Sequence, residues 1–174
     1  MYSGEPVSLE QLLSSREQRG IRQREWLTKH SLPLISFTIN MVGEVKVNTL
    51  SRVAFKQGIE AIAECCQHAS VFFSESQSFE PNTGLEFIAV ASNITALELK
   101  AHMVDIEDSH PLGRLFDIDI IDSDGVAVSR DSMSLPRRRC MVCNDDAKIC
   151  ARSRRHEKSV IIEKMSELVS STLR

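Results

Sequence analysis

Residues 35 to 41 alternate, with Ile35, Phe37, Ile39 and Met41 apolar and Ser36, Thr38 and Asn40 polar between them. A period of two belongs to a strand, where successive side chains leave opposite faces, and not to a helix. The segment therefore predicts a half-buried strand, and it divides stretches whose apolar spacing is helical. On its N-terminal side, Ser8 with Gln11 has the form of a capping box, and Leu9, Leu12 and Leu13 open a stripe that runs unevenly to Trp26 and Leu27 through Gly20. This predicts a helix over about 8 to 29, closed by Pro33. On the other side, beyond Gly43, residues Leu50, Val53, Ala54, Ile62 and Cys65 recur at helical spacing, which predicts a second helix over about 49 to 67 with Thr49 as its cap.

Strand-forming composition follows. Val71-Phe72-Phe73 and Leu85 to Val90 are β-prone runs separated by Ser, Glu and Gln residues and by the turn composition Pro81-Asn82-Thr83-Gly84. Thr95 with Glu98 repeats the capping box, and Leu99, Met103 and Ile106 fit a helix ending before the acidic stretch from Asp105 to Asp108. Leu115 to Ile121 reads as a strand, Asp122-Ser123-Asp124-Gly125 as a turn, and Val126-Ala127-Val128 as the returning arm of a hairpin. A cysteine- and arginine-rich loop covers 137 to 157, and Ile161, Met165, Leu168 and Val169 mark a C-terminal helix. No repeat, low-complexity tract or linker divides the chain. The expectation is an α+β fold in a single domain, 1 to 174 with its core in 8 to 170, having a mixed or antiparallel sheet with helices packed against it.

With 42% apolar and 26% charged residues in 174, the chain can bury a core without staples, and a disordered linker is excluded. A net charge of -3 argues against a surface built throughout for nucleic acid or anionic lipid, so any basic site is local. No apolar run approaches the roughly 18 residues of a membrane span, and the N-terminus lacks the basic-then-apolar pattern of a signal peptide. A cytoplasmic protein with no membrane association is expected. The five cysteines fall as Cys65-Cys66 and as Cys140, Cys143 and Cys150, which suits reduced thiols or a metal better than a disulfide framework.

The chemistry concentrates after residue 105. Asp117 and Asp119 stand two apart on the expected strand, so both carboxylates leave one face while Phe116, Ile118 and Ile120 take the other. A hard divalent cation offsets the repulsion and desolvation of such a pair, and magnesium is the natural candidate. The competing reading is a strand with one face in water. Gly113-Arg114 lies immediately upstream, and a guanidinium can fork onto phosphate oxygens while a metal bridges others. Residues 105 to 124 hold seven acidic and one basic side chain, whereas 137 to 158 hold eight basic and three acidic. Folded together, these segments would make a site for both a cation and an anionic ligand; apart, they are two solvated surfaces.

Cys140, Cys143, Cys150 and His156 form a legitimate donor set for tetrahedral zinc, with packed thiols as the alternative. In that alternative His156 would serve a substrate phosphate or a carboxylate. His110, ahead of Pro111 and Gly113, could act as a base, bind phosphate or form the turn. Lys46 and Arg52 flank the start of the second helix, where free N–H groups favour an anion. His30, His68 and His102 have no convergent neighbours in the sequence.

These residues also carry a resemblance. His110-Pro111-Leu112-Gly113-Arg114-Leu115-Phe116-Asp117-Ile118-Asp119, then Arg138-Arg139-Cys140 with Cys143, and Cys150-Ala151-Arg152-Ser153-Arg154-Arg155-His156, closely resemble the citrate lyase holo-acyl-carrier-protein synthase family, also called apo-citrate lyase phosphoribosyl-dephospho-CoA transferases. Ser36-Phe37-Thr38 with Asn40, and Gly43 with Val45-Lys46, are similar to the family's N-terminal pattern, so the likeness spans roughly 10 to 170. The polar stretch Ser74 to Gly84, and Glu44 where a turn proline is expected, depart from it.

The resemblance implies a nucleotidyltransferase-type site and reaction. The phosphoribosyl-dephospho-CoA arm of 2'-(5''-triphosphoribosyl)-3'-dephospho-CoA is attached to a serine of the citrate lyase acyl carrier protein, the gamma subunit, and pyrophosphate leaves. It assigns Asp117 and Asp119 to magnesium, Arg114 to the triphosphate, and an acidic group such as Asp119 to the serine proton. The donor's phosphates fall to Lys46, Arg52, His110, Arg138, Arg139, Arg152, Arg154 and His156. The donor would come from a separate enzyme. Two rival readings are a small zinc-bound nucleic-acid adaptor built on 137 to 158, disfavoured because no Phe, Tyr or Trp follows residue 117, and a carrier-binding module without catalysis, which leaves the aspartate pair without a purpose.

Overall fold

A computed structural model describes residues 1–173. Its elements are α1 (Leu9–His30), β1 (Leu34–Ile39), α2 (Thr49–His68), β2 (Phe72–Phe79), β3 (Glu86–Ser92), α3 (Ala96–Ser109), β4 (Phe116–Ile121), α4 (Ala147–Ser153) and α5 (Lys158–Thr172), with short 3-10 turns at Gly113–Leu115 and Asp131–Met133. The strands form one sheet in the order β2-β3-β1-β4, and every neighbouring pair is antiparallel. The fold is α+β, and the sheet is wholly antiparallel.

Alternation in β1 divides the molecule into two layers of core. Ile35 and Phe37 join Phe87, Ala89, Phe116, Ile118 and Ile120 on one face, under Leu50, Ala54 and Ile62 of α2, Leu99 and Met103 of α3, and Met165 and Val169 of α5. Leu34 points the other way and packs with Ile88, Val90 and Ile121 beneath Trp26 and Leu27 of α1. Gly58 lets α2 approach this sheet, because a Cβ there would collide with the Phe37 ring. Phe37 in turn stacks on Phe55 at 5.4 Å and meets Phe116 edge-on.

Capping follows the local chemistry. Ser8 and Gln11 exchange bonds at the start of α1, as do Thr95 and Glu98 at α3. At α2 the cap is Asn48 and not Thr49: Asn48 Oδ1 accepts the Ser51 N–H at 3.0 Å, and Ser51 Oγ accepts the Asn48 N–H at 2.9 Å. Four more expectations need correction. The Ser, Glu and Gln residues after Phe73 continue β2 to Phe79 and do not form a loop, since an edge strand pairs through its backbone and can leave polar side chains in water. Helix α3 runs through the acidic stretch to Ser109, carrying Asp105 outward and Glu107 inward. The returning arm after the Asp122–Gly125 turn is a single bridge, Ile121 to Ala127, and the 137–157 segment contains α4, capped by the Asp146 side chain.

Candidate active site at the free edge of the sheet

β4 is an edge strand, and its outer edge should expose unpaired backbone groups. At Ile118 two side chains of α3 supply the missing partners. Glu107 Oε1 accepts the Ile118 N–H at 3.0 Å, and Lys100 Nζ donates to the Ile118 carbonyl at 2.8 Å. The two residues lie two helical turns apart, so they share one face of α3. Both are nearly fully buried, at 5% and 3% exposure.

Burying Glu107 requires counter-charge. Arg130 Nη2 reaches its Oε2 at 2.7 Å and Asp108 at 3.0 Å, and Arg138 pairs with its Oε1. A cleft of about 390 Å³ opens beside this network. Asp117 and Asp119 line it, opposite Thr38 and Ser36 of β1 and on the same face of β4, while Phe116, Ile118 and Ile120 point into the core as the alternation requires. Arg137, Arg138 and Lys148 reach its wall from the other side. Arg138 Nη1 stands 4.0 Å from Asp117 Oδ1. The acidic segment and part of the basic one thus do fold against each other.

The pair of aspartates is electrostatically unequal to an ordinary exposed pair. Asp119 touches solvent through the mouth of the cleft, yet crowding by the surrounding protein atoms and then the like charge of Asp117 raise its carboxyl above the usual value, against the pull of Lys100 and Arg138. A bound cation would relieve that cost. These oxygen donors, two apart on one strand and open to solvent, suit a hard ion such as magnesium that retains several waters.

The chain matches the model of a family described as apo-citrate lyase phosphoribosyl-dephospho-CoA transferase over residues 7–172. The chain belongs to this family. A protein of Vibrio cholerae serotype O1 (strain M66-2), named as a probable apo-citrate lyase phosphoribosyl-dephospho-CoA transferase, is 48% identical over 162 residues, covering 93% of this chain and 91% of its own. Apo-citrate lyase phosphoribosyl-dephospho-CoA transferases of Citrobacter koseri and of Shigella boydii are 38% and 35% identical, covering 94% and 98% of this chain and 88% and 92% of theirs.

Several residues that the family resemblance pointed to lie outside the cleft. Arg114 donates to the Cys140 carbonyl at 3.2 Å. Lys46 Nζ donates to the Met41 carbonyl at 2.6 Å, and burial followed by the charge of Arg16 lowers its ammonium below the usual value. Arg52 pairs with Glu80 at 2.9 Å. His110 accepts the Leu112 N–H on Nδ1 and lies 4.9 Å from the Phe116 ring, so it shapes the turn before β4. Arg139, Arg152 and Arg154 are exposed, and Arg154 ends α4 in the left-handed conformation. His156 sits with Cys140, Cys143 and Cys150. Lys100, Glu107, Arg130 and Lys148 are among the cleft residues that sequence reasoning missed. The i, i+7 spacing of Lys100 and Glu107 was the one available signal. No helix among the described residues is long and apolar enough to cross a membrane.

Proposed function

We propose that this protein transfers the phosphoribosyl-dephospho-CoA group from 2'-(5''-triphosphoribosyl)-3'-dephospho-CoA to a serine of the citrate lyase acyl carrier protein, and that Asp117, Asp119 and the cations around them are its site. Family membership supports the reaction, and the observation that supports the site is the convergence of paired carboxylates with Arg138, Arg137 and Lys148 in one cleft. The serine oxygen forms a bond to the phosphorus nearest the ribose as the bond to the departing pyrophosphate breaks. The serine proton passes to an acidic group of the cleft, a role the family resemblance gives to Asp119 or a neighbouring carboxylate. Asp117 and Asp119 would hold magnesium, which when bound neutralises phosphate charge. Arg138, held by Glu107, and Arg137 and Lys148 at the rim would bind the donor's phosphates. The nucleophile belongs to the carrier, so the cleft needs none of its own. This reading places the protein in the cytoplasm.

A nucleic-acid adaptor gains no support, since the family and relatives that the chain matches are named as transferases. Incubation with purified apo-carrier, donor and magnesium, followed by intact-mass measurement, tests the reaction. A carrier gaining the mass of one arm, with one pyrophosphate released per arm, is expected; a carrier of unchanged mass would refute it.

A further inference from the structure

The segment from Arg137 to His156 has little apolar substance, yet it carries Arg138 to the cleft. Its backbone is tied at a few points: the Cys140 N–H donates to the Asp145 carbonyl at 2.7 Å, the Ala147 N–H to the Arg138 carbonyl at 3.0 Å, and Arg139 bridges to Asp146. At the centre of these ties lie the Sγ atoms of Cys140, Cys143 and Cys150 and a ring nitrogen of His156, all within 4.8 Å of one another. Cys143 Sγ and Cys150 Sγ are 3.5 Å apart, and the Val142 N–H is directed at Cys140 Sγ at 3.4 Å. Sulfurs bound tetrahedrally at about 2.3 Å from one zinc stand roughly 3.8 Å from each other, so the Cys143–Cys150 separation is already close to that of two zinc ligands.

A second, independent observation points into the same space. His156 Nε2 is buried and has no hydrogen-bond partner, the one such side-chain nitrogen or oxygen among the described residues. A buried imidazole nitrogen without a partner is a cost that native proteins avoid. A metal ion among the three thiolates removes it.

We propose that Cys140, Cys143, Cys150 and His156 bind one zinc ion, and that this ion fixes the limb that presents Arg138 to the cleft. Three soft thiolates and an imidazole favour zinc over the hard cations suited to Asp117 and Asp119, and four protein ligands close the coordination sphere. The site is therefore structural. Its ligands reach the cleft from both sides of the cluster: Cys140 lies two residues beyond Arg138 and receives Arg114 on its carbonyl, while Cys150 lies on α4 beyond Lys148. Binding is independent of the transferase reading, because it requires neither donor nor carrier.

Protein produced with zinc in the medium and purified without chelator is expected to contain about one zinc per chain by elemental analysis. Exchange for cobalt should give the intense visible bands and sulfur-to-metal charge transfer of a tetrahedral thiolate site. Cys143→Ser and His156→Ala should lose the metal, His156→Cys should retain it by restoring a fourth ligand, and Cys65→Ser should leave it in place. Removing zinc should speed amide exchange across 137 to 156 while β1, β3 and β4 stay protected. Much less than one zinc per chain, zinc retained in the Cys143→Ser/His156→Ala double variant, or a Cys143–Cys150 disulfide in the purified protein would overturn the site. Unchanged exchange across 137 to 156 after zinc removal would overturn its positioning role.

Discussion

Glu107→Gln is the substitution that most directly tests whether the buried network organises the cleft. The change keeps size and shape, so its cost is electrostatic. Glu107, with 2% of its side chain exposed, accepts from Ile118 N–H, Arg130 and Arg138 at once. A glutamine oxygen in the Oε1 position can keep the Ile118 and Arg138 bonds as neutral ones, but its amide then directs N–H groups at the Arg130 guanidinium, which also only donates. Arg130 retains Asp108 and Arg138 keeps only a neutral oxygen, so both guanidiniums lose part of their charge compensation in a buried site. Removing one member of a buried ion pair costs about 3–5 kcal/mol, and the residual bond to Asp108 puts this case near 3 kcal/mol. For a domain of this length each kcal/mol lowers Tm by about 2–4 °C, so roughly 6–12 °C is expected. Calorimetry or fluorescence-monitored melting reads the shift directly. The control is Glu75→Gln, because its pairs with Lys29 and His30 lie at the surface and such pairs contribute about 0.2–1 kcal/mol. Transfer measured well below the lowered Tm should also fall, since a released Arg138 has Asp117 within reach. A Tm shift below about 2 °C would refute the reasoning, because Glu107 would then behave like an exposed carboxylate.

Asp117→Asn and Asp119→Asn should each lower kcat for transfer about a hundredfold, roughly 2.7 kcal/mol of transition-state stabilisation, with an unchanged circular dichroism spectrum; near-normal turnover removes the pair from the site. Asp119→Asn should at the same time raise Tm at neutral pH in magnesium-free buffer. The folded protein holds the Asp119 carboxyl above its ordinary value, so Asp119 favours the fold fully below that ordinary value and the benefit is lost as pH rises through the raised one. The Tm gain of the variant should accordingly shrink on acidification, and a gain that grows instead contradicts the shift. Gly113→Ala should destabilise by about 1–3 kcal/mol, because a Cβ there meets the Glu107 carbonyl, and backbone cannot swing aside as a side chain does; urea melts check it.

The legible parts of this fold are those whose pattern is local. β1 and β4 announce themselves through alternation, β3 through a β-prone run, and α1 and α3 through their capping boxes. β2 is hidden because its stability lies in backbone pairing with β3 while its side chains are ordinary polar residues at a sheet edge. The same division holds at the cleft. Asp117 and Asp119 are recognisable because a strand period fixes their common face. Lys46 and Arg52 look equally suitable in the sequence, yet Lys46 folds back onto the Met41 carbonyl five residues upstream and Arg52 meets Glu80 beyond β2, contacts that the helical spacing near α2 does not encode. Glu107 sits in an acidic run of which Asp105 faces solvent, and only the register of α3 against β4 selects the buried one.

That register gives the edge of β4 two duties. An unpaired edge invites pairing with another chain, and a helix lying beside it closes the edge only if its side chains offer both a donor and an acceptor. Lys100 and Glu107 offer one of each to Ile118, and their charges then act on the next residue along the strand. Lys100 pulls the Asp119 carboxyl down and Glu107 pushes it up, while Glu107 also holds Arg138 near Asp117. An apolar closure of the same edge would remove Lys100 from beside Asp119 and leave nothing on α3 to hold Arg138 near Asp117. The residues that protect the strand from misassociation are thus the ones that set the charge of the cleft, so sequence change at α3 alters edge protection and cleft electrostatics together.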